Sequence, residues 1–478
     1  MKLGATTRRR YMELALILLG SIVGILSISS TFAQTASGPL RTSAANPLYF
    51  TDGAGKTVYL GGTQVYDEFS DYAWGINSTS WTNRLSWFKQ FGLNLDRAWI
   101  AWFTKATPEN TVTRLMPYKR VPGSGKAYDG GDKFDLDQFD QAFFDNMYAR
   151  LLQAQDQGLY ILIMLFDRWS WALVPGFIDK SGDTRGLTNV FHGANNINGI
   201  HWDYPQFFTT NVAILAKQKD FVRKVIDTVN PLDNVMYEIA NEAEGNALAW
   251  HQEIASYIKT YEATKPKQHP VYASTWANAS YADLRRTGAS VISLAQQSVT
   301  CETWKTNPPY HGQMVPVMFD EDHTGDCVRG KKDYVLPWRA FLRGFNYILY
   351  DEYDPQNPLA ASHLDLVRYN VGKTVEYATR AGVADMTVQS NLASTGFALA
   401  KRGEKYLVLQ SGSGPFSVSG LLSGSTYSYE WYNPVTRSTT EGGTLNANAA
   451  TVSFSPPFGG SAVLYLRLSS STDSPSTR

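Results

Sequence analysis

The chain has no excess of charge of either sign. Its 478 residues hold 43 Lys and Arg against 43 Asp and Glu, and charged residues make up 18% of the sequence. Proteins that bind nucleic acid carry a basic stripe or patch facing the phosphate backbone. No such stripe is present, which excludes nucleic-acid binding as a function class.

Long apolar runs are absent after the N-terminus. Residues 14–28 form one such run, preceded by arginines at 8–10 and followed by Thr-Phe-Ala at 31–33. This order predicts a secretory signal peptide cleaved after Ala33, with an uncleaved membrane anchor as the alternative. The arginines also loosely resemble a twin-arginine signal. No later run reaches the ~20 residues that span a bilayer. We therefore expect a secreted or periplasmic protein, exported by the general secretory or the twin-arginine route, without stable membrane insertion after cleavage.

Cysteine is scarce: only Cys301 and Cys327 occur. In an oxidising compartment we expect them to form one disulfide that braces two neighbouring loops, and two buried free thiols are the alternative. The histidines at 251, 269 and 311 show no metal-ligand spacing. We therefore expect no metal and no other cofactor.

What the chain does contain, from about residue 45 to 384, is an alternation of short apolar runs with amphipathic stretches of helical period. Helices are predicted at about 81–91, 137–157, 210–229, 248–262 and 364–380. Strands are predicted at 57–60, 93–100, 159–166, 234–240, 270–274, 290–294, 315–319 and 347–350. Eight strands with helices between most of them fit an α/β fold of the (β/α)8 TIM-barrel type.

The pattern changes after Gly382. Short alternating runs separated by Gly, Ser and Asn predict strands at 397–400, 405–410, 426–432, 451–454 and 462–468, typical of an antiparallel β-sandwich. The predicted organisation is a signal peptide at 1–33, a barrel at 34–384, a sandwich domain at 385–468 and a disordered tail at 469–478.

Two predicted barrel strands end in carboxylates. Asn241 and Glu242 follow the fourth strand, and the sequence Asp-Glu-Asp-His at 320–323 follows the seventh. Hydrolysis of a glycosidic bond needs one carboxylic acid to protonate the leaving oxygen and a second carboxylate to attack or to activate water. Glu242 is the predicted acid/base, and a helix cap is the alternative for this Asn-Glu pair.

Glu321 is the predicted nucleophile, with Asp320 and Asp322 as rivals. Alternation along a strand means that the two aspartates point together and Glu321 points the other way, but it leaves open which side faces the barrel axis. A calcium site is a further alternative for this acidic segment, although its spacing matches no complete loop motif.

Other residues at predicted strand ends are candidates for substrate contact. Arg97 could keep the nucleophile ionised, with a structural ion pair as the alternative. Tryptophans can stack on sugar rings, although packing is their commoner use. The predicted substrate-binding residues are Arg97, Asn241, Asp167, Trp169, Trp276, Asp320, Asp322 and His323.

The segments Tyr-Glu-Ile-Ala-Asn-Glu at 237–242 and Pro-Val-Met-Phe-Asp-Glu at 316–321 resemble glycoside hydrolase clan A, near the family 5 cellulase-like enzymes, in which Arg97 would match a clan arginine. Segments 46–53, 265–271 and 341–344 are similar to bacterial secreted proteins labelled as the collagen-binding domain of a collagenase. The resemblance implies Glu242 as a catalytic residue. Related sequences often show Asp-Thr-Asp-His at 320–323, which keeps Asp320 and Asp322 as alternatives to Glu321.

The sequence thus predicts a secreted glycoside hydrolase with a carbohydrate substrate, cleaving by a retaining two-carboxylate mechanism. The alternative is a non-catalytic glycan- or matrix-binding protein on a degenerate barrel. A protease is not indicated, because the chain has neither His-Glu-x-x-His nor a Ser/Cys/His set. The sugar, the linkage, exo or endo action and the oligomeric state are left open.

Overall fold

In the computed structural model the described residues begin at Thr35, after the predicted signal peptide. The structure describes residues 35–65, 69, 78–105, 114–171, 185–202, 204–243, 247–276, 279–295, 300–310, 312, 314–324, 328, 331–353 and 361–469. The predicted disordered tail, apart from Ser469, lies outside the described residues.

Eight parallel strands close into a barrel in chain order, and the last strand pairs with the first, with Tyr347 opposite Gly61. Their side chains are almost all buried, as expected for a parallel sheet covered on both faces. The predicted TIM barrel is therefore confirmed. The strands are β1 (Gly61–Val65), β2 (Leu95–Trp99), β3 (Tyr160–Asp167), β4 (Val235–Asn241), β5 (Val271–Ala273), β6 (Val291–Ser293), β7 (Val317–Asp320) and β8 (Asn346–Tyr350).

Each barrel strand is followed by a helix. The five longer helices match their sequence predictions within a few residues, and the three six-residue helices after β5, β6 and β7 were not predicted. None of the described helices is long and apolar enough to cross a membrane. The helices are α1 (Ser78–Phe91), α2 (Gln141–Asp156), α3 (Val212–Val229), α4 (Leu248–Glu262), α5 (Tyr281–Arg286), α6 (Cys301–Thr306), α7 (Leu336–Phe341) and α8 (Asp365–Ala381).

The predicted position of the first strand was wrong. Thr57–Val58 belongs to a small antiparallel sheet with Arg41–Thr42 and Phe50–Thr51, and the barrel strand is the next segment, beginning at Gly61. This barrel strand begins with the pair Gly61 and Gly62. The role of the pair is packing, because a Cβ at Gly62 would lie 1.7 Å from the carbonyl oxygen of Leu95 on β2.

The inside of the barrel is apolar at one end and polar at the other. Leu95, Met236, Met318 and Ile348 form part of an apolar floor. The side chains two positions further along three of these strands are Arg97, Glu238 and Asp320, all fully buried. Alternation along each strand thus places a charged layer directly above the floor, toward the carboxyl ends of the strands.

Two long loops at those carboxyl ends pair with each other. The loop after β2 contains a hairpin, Tyr118–Arg120 with Phe134–Phe139, and the loop after β3 contains the 3-10 helix Trp169–Trp171 and the short helix Tyr204–Phe207. Bridges between Phe103 and Asn189 and between Phe134 and Asn196 join the loops.

The C-terminal strands form an antiparallel six-stranded sheet of order β9-β10-β11-β16-β13-β14, with β12 and β15 paired across from it. One buried apolar cluster joins the sheet to this pair. The five predicted strands are present within a residue or so, and β9, β12 and β14 were not predicted. The strands are β9 (Thr387–Val388), β10 (Ala398–Lys401), β11 (Lys405–Gln410), β12 (Phe416–Ser419), β13 (Thr426–Asn433), β14 (Ser438–Asn446), β15 (Thr451–Phe454) and β16 (Ala462–Leu468).

The other face of the six-stranded sheet packs against α7 and α8 of the barrel. Trp338 and Tyr377 from the helices meet Tyr432 and Tyr465 from the sheet in one buried cluster. Because each ring buries a large apolar area, this contact forms a separate hydrophobic core between the barrel helices and the sheet.

Candidate active site

Arg97, on β2, is the centre of the charged layer. Its guanidinium donates from Nε to Glu238 Oε2 at 2.7 Å and from Nη2 to Asn241 Oδ1 at 2.9 Å, and Nη1 lies 3.1 Å from Asp320 Oδ2. Nη1 also donates to Gln64 Oε1. Burial opposes the charge on Arg97, but Asp320 and Glu238 raise its pKa well above its ordinary value overall.

Glu238, on β4, falls within the predicted strand at 234–240 and is not among the predicted site residues. The signal was present, since a carboxylate two positions after the buried Met236 faces the same side of the strand. Burial is the main cause that raises the pKa of Glu238 to about 7, and Asp320 and Asp322 add to it, against the lowering effect of Arg97.

The end of β4 turns sharply at Glu242. Its backbone has φ of +48°, one of two positive values among the described non-glycine residues, and this conformation costs a side-chain-bearing residue about 1–3 kcal/mol. Straight alternation would send Asn241 and Glu242 to opposite sides. The turn instead brings both to the mouth of the barrel, where Asn241 contacts Arg97 and Glu242 approaches Asp322.

The structure settles the direction of the acidic segment after β7. Asp320 and Asp322 face the barrel axis, with Oδ2 atoms 3.1 and 3.8 Å from Nη1 of Arg97. Glu321 points the other way, where the Tyr347 hydroxyl donates to Oε1 and the Tyr350 amide donates to Oε2 at 3.2 Å. The predicted grouping of Asp320 with Asp322 is present, but strand alternation does not produce it, because β7 ends at Asp320 and Glu321–Thr324 form a 3-10 helix. The prediction that Glu321 is the carboxylate beside Glu242 is corrected, because the side chain on the axis is that of Asp322.

Glu242, Asp322 and His323 meet at the mouth. One carboxylate oxygen of each acid and one ring nitrogen of the histidine lie within 4.8 Å of one another. Glu242 is half-buried, and the other two are buried. Two carboxylates at this separation can act on opposite sides of one reacting bond.

His323 is held by side chains on or directly after four neighbouring strands. Nε2 lies 2.9 Å from Asn241 Oδ1 and 3.2 Å from Ser274 Oγ. Nδ1 lies 3.1 Å from Ser293 Oγ and 3.4 Å from Asp320 Oδ2. The ring therefore has a fixed position and plane.

Glu242, Asp322 and His323 are residue types that can bind a cation. A metal-binding histidine directs the lone pair of one ring nitrogen at the ion. In His323 both ring nitrogens face polar side chains within 3.2 Å, Asn241 and Ser274 at one and Ser293 at the other. Both nitrogens are thus engaged by side chains of the protein, and we assign no metal to the cluster.

Asp167 and Trp169, predicted to contact substrate, lie after β3. Both carboxylate oxygens of Asp167 accept from Ser170, at 2.7 Å from its amide and 2.8 Å from its hydroxyl. Asp167 therefore shapes the turn that presents Trp169. The ring of Trp169 is half-buried beneath the guanidinium of Arg185, 4.2 Å away, so part of it reaches the surface of this loop.

Trp276, after β5, is placed for packing more than for sugar contact. Only 5% of its surface is exposed. Its ring stacks on His251 of α4, with centroids 4.6 Å apart and planes 25° from parallel. One face of the indole is therefore occupied by the protein itself.

The predicted disulfide is described at one end. Cys301, at the start of α6, is disulfide-bonded. Cys327 lies outside the described residues, so the pairing of these two cysteines stays a prediction.

Comparison with solved structures places the fold among glycoside hydrolases. A candidate glycoside hydrolase from Bacteroides vulgatus ATCC 8482 superposes with a TM-score of 0.61 at 15% identity, covering 91% of this chain and 83% of that one. A second glycoside hydrolase gives 0.58 at 12% identity, covering 91% and 98%. A family 5 glycoside hydrolase from the same Bacteroides strain gives 0.56 at 12% identity, covering 90% and 95%. At such identities the likeness is one of fold.

Neither a protein-family model nor a curated protein sequence matches the chain.

Proposed function

We propose that this protein is a retaining glycoside hydrolase in which Glu242 is the acid/base and Asp322 is the nucleophile. The observation that carries the proposal is the approach of these two carboxylates to within 4.8 Å at the carboxyl end of a TM barrel. Retaining enzymes hold their two carboxyl groups about 5–5.5 Å apart, and inverting enzymes about 6.5–9.5 Å apart.

The surroundings suit these roles. Asp322 lies near Arg97, with Oδ2 3.8 Å from Nη1. Glu242 is half-buried on a turn, where it can reach both the leaving oxygen and incoming water. Glu238 and Asp320 contact Arg97 from below and fix its guanidinium.

The reaction would proceed in two steps. The Asp322 carboxylate attacks the anomeric carbon while the Glu242 carboxylic acid gives its proton to the glycosidic oxygen, so that the carbon–oxygen bond breaks and a glycosyl ester forms on Asp322. Glu242, now ionised, then takes a proton from water as that water attacks the anomeric carbon, and the ester bond breaks. The sugar leaves with its original anomeric configuration, and both carboxyl groups return to their starting forms.

Asn241 would bind the hydroxyl next to the anomeric carbon. Its Oδ1 is occupied by Arg97, whereas its buried Nδ2 has no hydrogen-bond partner within the part of the chain that the structure describes. A hydrogen bond to this hydroxyl strengthens in the transition state of glycoside cleavage.

The N-terminal segment supports a place of action outside the cytoplasm. The basic and apolar segments at 8–28 and the Thr-Phe-Ala at 31–33 support export and cleavage after Ala33. We propose a poly- or oligosaccharide outside the cytoplasm as the substrate.

The test is release of reducing sugar from a broad panel of poly- and oligosaccharides by the wild type, Glu242→Gln and Asp322→Asn. The wild type should cleave at least one member. Because a positioned general acid contributes about 10²–10⁴-fold, Glu242→Gln should lower kcat by that factor. Asp322→Asn should be impaired at least as strongly, since it removes the attacking group. Proton NMR of the first product should show the anomer of the substrate.

Glu321→Gln is the matched control. It makes the same chemical change one position away, on a side chain that Tyr347 and Tyr350 hold on the other face, and it should keep most of the activity. Loss of activity in Glu321→Gln with activity kept in Asp322→Asn would restore Glu321 as the nucleophile. If the wild type releases no reducing sugar from any member of the panel but does bind a glycan, the result would favour a binding protein.

A further inference from the structure

We propose that His323 is a positioning residue that orients the Asn241 amide toward the substrate without touching the substrate itself. The inference rests on the proposed glycosidase function and adds a residue whose role is to make the enzyme sensitive to one hydroxyl of the sugar.

The first step is the orientation of the amide. Asn241 Oδ1 accepts from Arg97 Nη2 at 2.9 Å. A guanidinium can only donate, so the oxygen of the amide must face Arg97 and the NH2 group must face away. Asn241 is completely buried, and turning the amide around would set two donors against each other.

The second step is the plane of the amide. One hydrogen bond to Oδ1 would still allow the amide to rotate about its own axis. His323, in the 3-10 turn after β7, places Nε2 2.9 Å from the same oxygen, whereas Arg97 lies on β2. Two donors from different elements hold the oxygen and fix the direction of Nδ2. Since Oδ1 accepts, Nε2 of His323 must carry a proton.

The third step is what holds the imidazole. Ser293 Oγ on β6 lies 3.1 Å from Nδ1, and Ser274 Oγ, following β5, lies 3.2 Å from Nε2. The ring is 1% exposed. Protein side chains therefore contact both ring nitrogens. This arrangement suits a residue that positions Asn241 and does not itself bind the substrate.

The orientation of the Asn241 amide determines which substrate group it can bind. Nδ2 of Asn241 is buried and has no partner among the described residues, so a substrate hydroxyl next to the anomeric carbon would be its acceptor. Without His323 the amide could tilt, and the contribution of that hydroxyl to catalysis would fall. The effect is a change in selectivity, separate from a general loss of activity.

The experiment compares two 4-nitrophenyl glycosides of the sugar that the panel identifies, one complete and one lacking the 2-hydroxyl. The quantity measured is the ratio of their kcat/KM values. The intrinsic difference in reactivity between the two substrates is the same for every variant, so changes in the ratio report the contact with Asn241. Asn241→Ala gives the ratio for an enzyme without that contact.

Three replacements of His323 are matched to its two ring edges. His323→Gln keeps a donor near the position of Nε2 and should keep the ratio within about threefold of the wild type. His323→Asn keeps an amide near the position of Nδ1 only, and His323→Leu keeps neither donor. In both, the ratio should fall about tenfold or more, toward that of Asn241→Ala.

Ser293→Ala serves if a His323 variant does not fold, because it frees one edge of the ring without touching Asn241. It should move the ratio in the same direction by a smaller factor. If the ratio stays at the wild-type value in every folded variant while kcat/KM falls for both substrates, His323 is only structural and the proposal is overturned. Failure of the proposed function is seen separately, as a wild type that cleaves no glycoside or that is unaffected by Glu242→Gln.

Discussion

At the scale of single residues, the polar end of the barrel has more acidic than basic side chains. Glu238, Asp320 and Asp322 all approach Arg97, and Glu242 lies beside Asp322. Burial raises the pKa of Asp320 despite the opposing effect of Arg97. Burial thus keeps protons on Glu238 and Asp320 in the native state that the unfolded chain would release, against the opposing effect of Arg97.

This crowding predicts how stability depends on pH. The pKa of Glu238 is raised to about 7, chiefly by burial, from an ordinary value of 4.5. Between these values the native state keeps the proton and the unfolded state loses it, so the free energy of unfolding should fall as pH rises. The contribution has a slope of up to about 1.4 kcal/mol per pH unit. Glu238→Gln should remove it, as urea unfolding at pH 5, 6 and 7 would show. Parallel curves for the wild type and the variant would contradict the prediction.

The sequence could predict the pairing of side chains in the acidic segment, but not its direction. Asp320 and Asp322 do point together and Glu321 points the other way, although the segment leaves the strand at Asp320 and continues as a 3-10 helix over Glu321–Thr324. The direction depends on whether Met318 or Phe319 faces the axis, and both are apolar. The structure puts Met318 in the floor of the barrel and Phe319 against the helices, and only the three-dimensional register decides this.

At the scale of elements, the strands were found from the sequence because each is a short apolar run. β1 was the exception, since close approach of Leu95 on β2 requires glycine at position 62. The short helices α5, α6 and α7 were not predicted because six residues make fewer than two turns, which is too short for a helical period to be recognised.

One helix contact gives a second pH prediction. His251 of α4 is fully buried against Trp276, with Nδ1 2.9 Å from the carbonyl oxygen of Ala247. Burial lowers the pKa of His251 to about 4 from 6.5. The unfolded chain therefore gains a proton before the native state does, and the free energy of unfolding should fall as pH drops from 6.5 to 4, by up to about 1.4 kcal/mol per unit.

His251→Phe tests this prediction, because phenylalanine can still stack on Trp276 but cannot take a proton. Guanidinium unfolding between pH 4 and 6.5 should give a flatter dependence for the variant than for the wild type. An unchanged acid slope would mean that His251 is not the group responsible.

At the scale of the whole molecule, barrel and sheet share a core. The indole of Trp338 donates to Asn370 Oδ1 at 2.8 Å, and Asn370 Nδ2 donates to the carbonyl of Pro434 in the sheet region at 3.0 Å. Lys405 of β11 donates to the last carbonyls of α8, Ala381 at 2.7 Å and Gly382 at 2.8 Å. Such contacts cap the helix and tie the two parts together.

We therefore expect the barrel and the sheet to unfold together. Tyr432→Ala removes a fully buried ring from the shared cluster and should lower the stability of the whole chain by about 3–5 kcal/mol. Calorimetry should show one transition, shifted as a unit. Val435→Ala, at a nearby side chain that is 49% exposed, is the control and should leave the midpoint nearly unchanged. Two transitions, of which only one moves, would show independent domains.

The sequence located the change of pattern near residue 384 but could not reveal this coupling. In the sequence, Trp338 looks like a core residue of the barrel and Tyr432 like a core residue of the sheet domain. An aromatic residue buried between two domains cannot be told by its sequence from one buried inside a single domain. The boundary between 384 and 385 falls in the short connection between α8 and β9.

The left-handed turn at Glu242 has a consequence for how this chain can change over generations of mutation. Glycine would relax the backbone there, and asparagine would be tolerated better than most residues. Both would remove the carboxyl group. Selection for a more robust fold and selection for turnover thus pull this position in opposite directions. A library of variants ranked by heat resistance alone would drift toward glycine or asparagine at 242, whereas a library ranked by sugar release would keep glutamate.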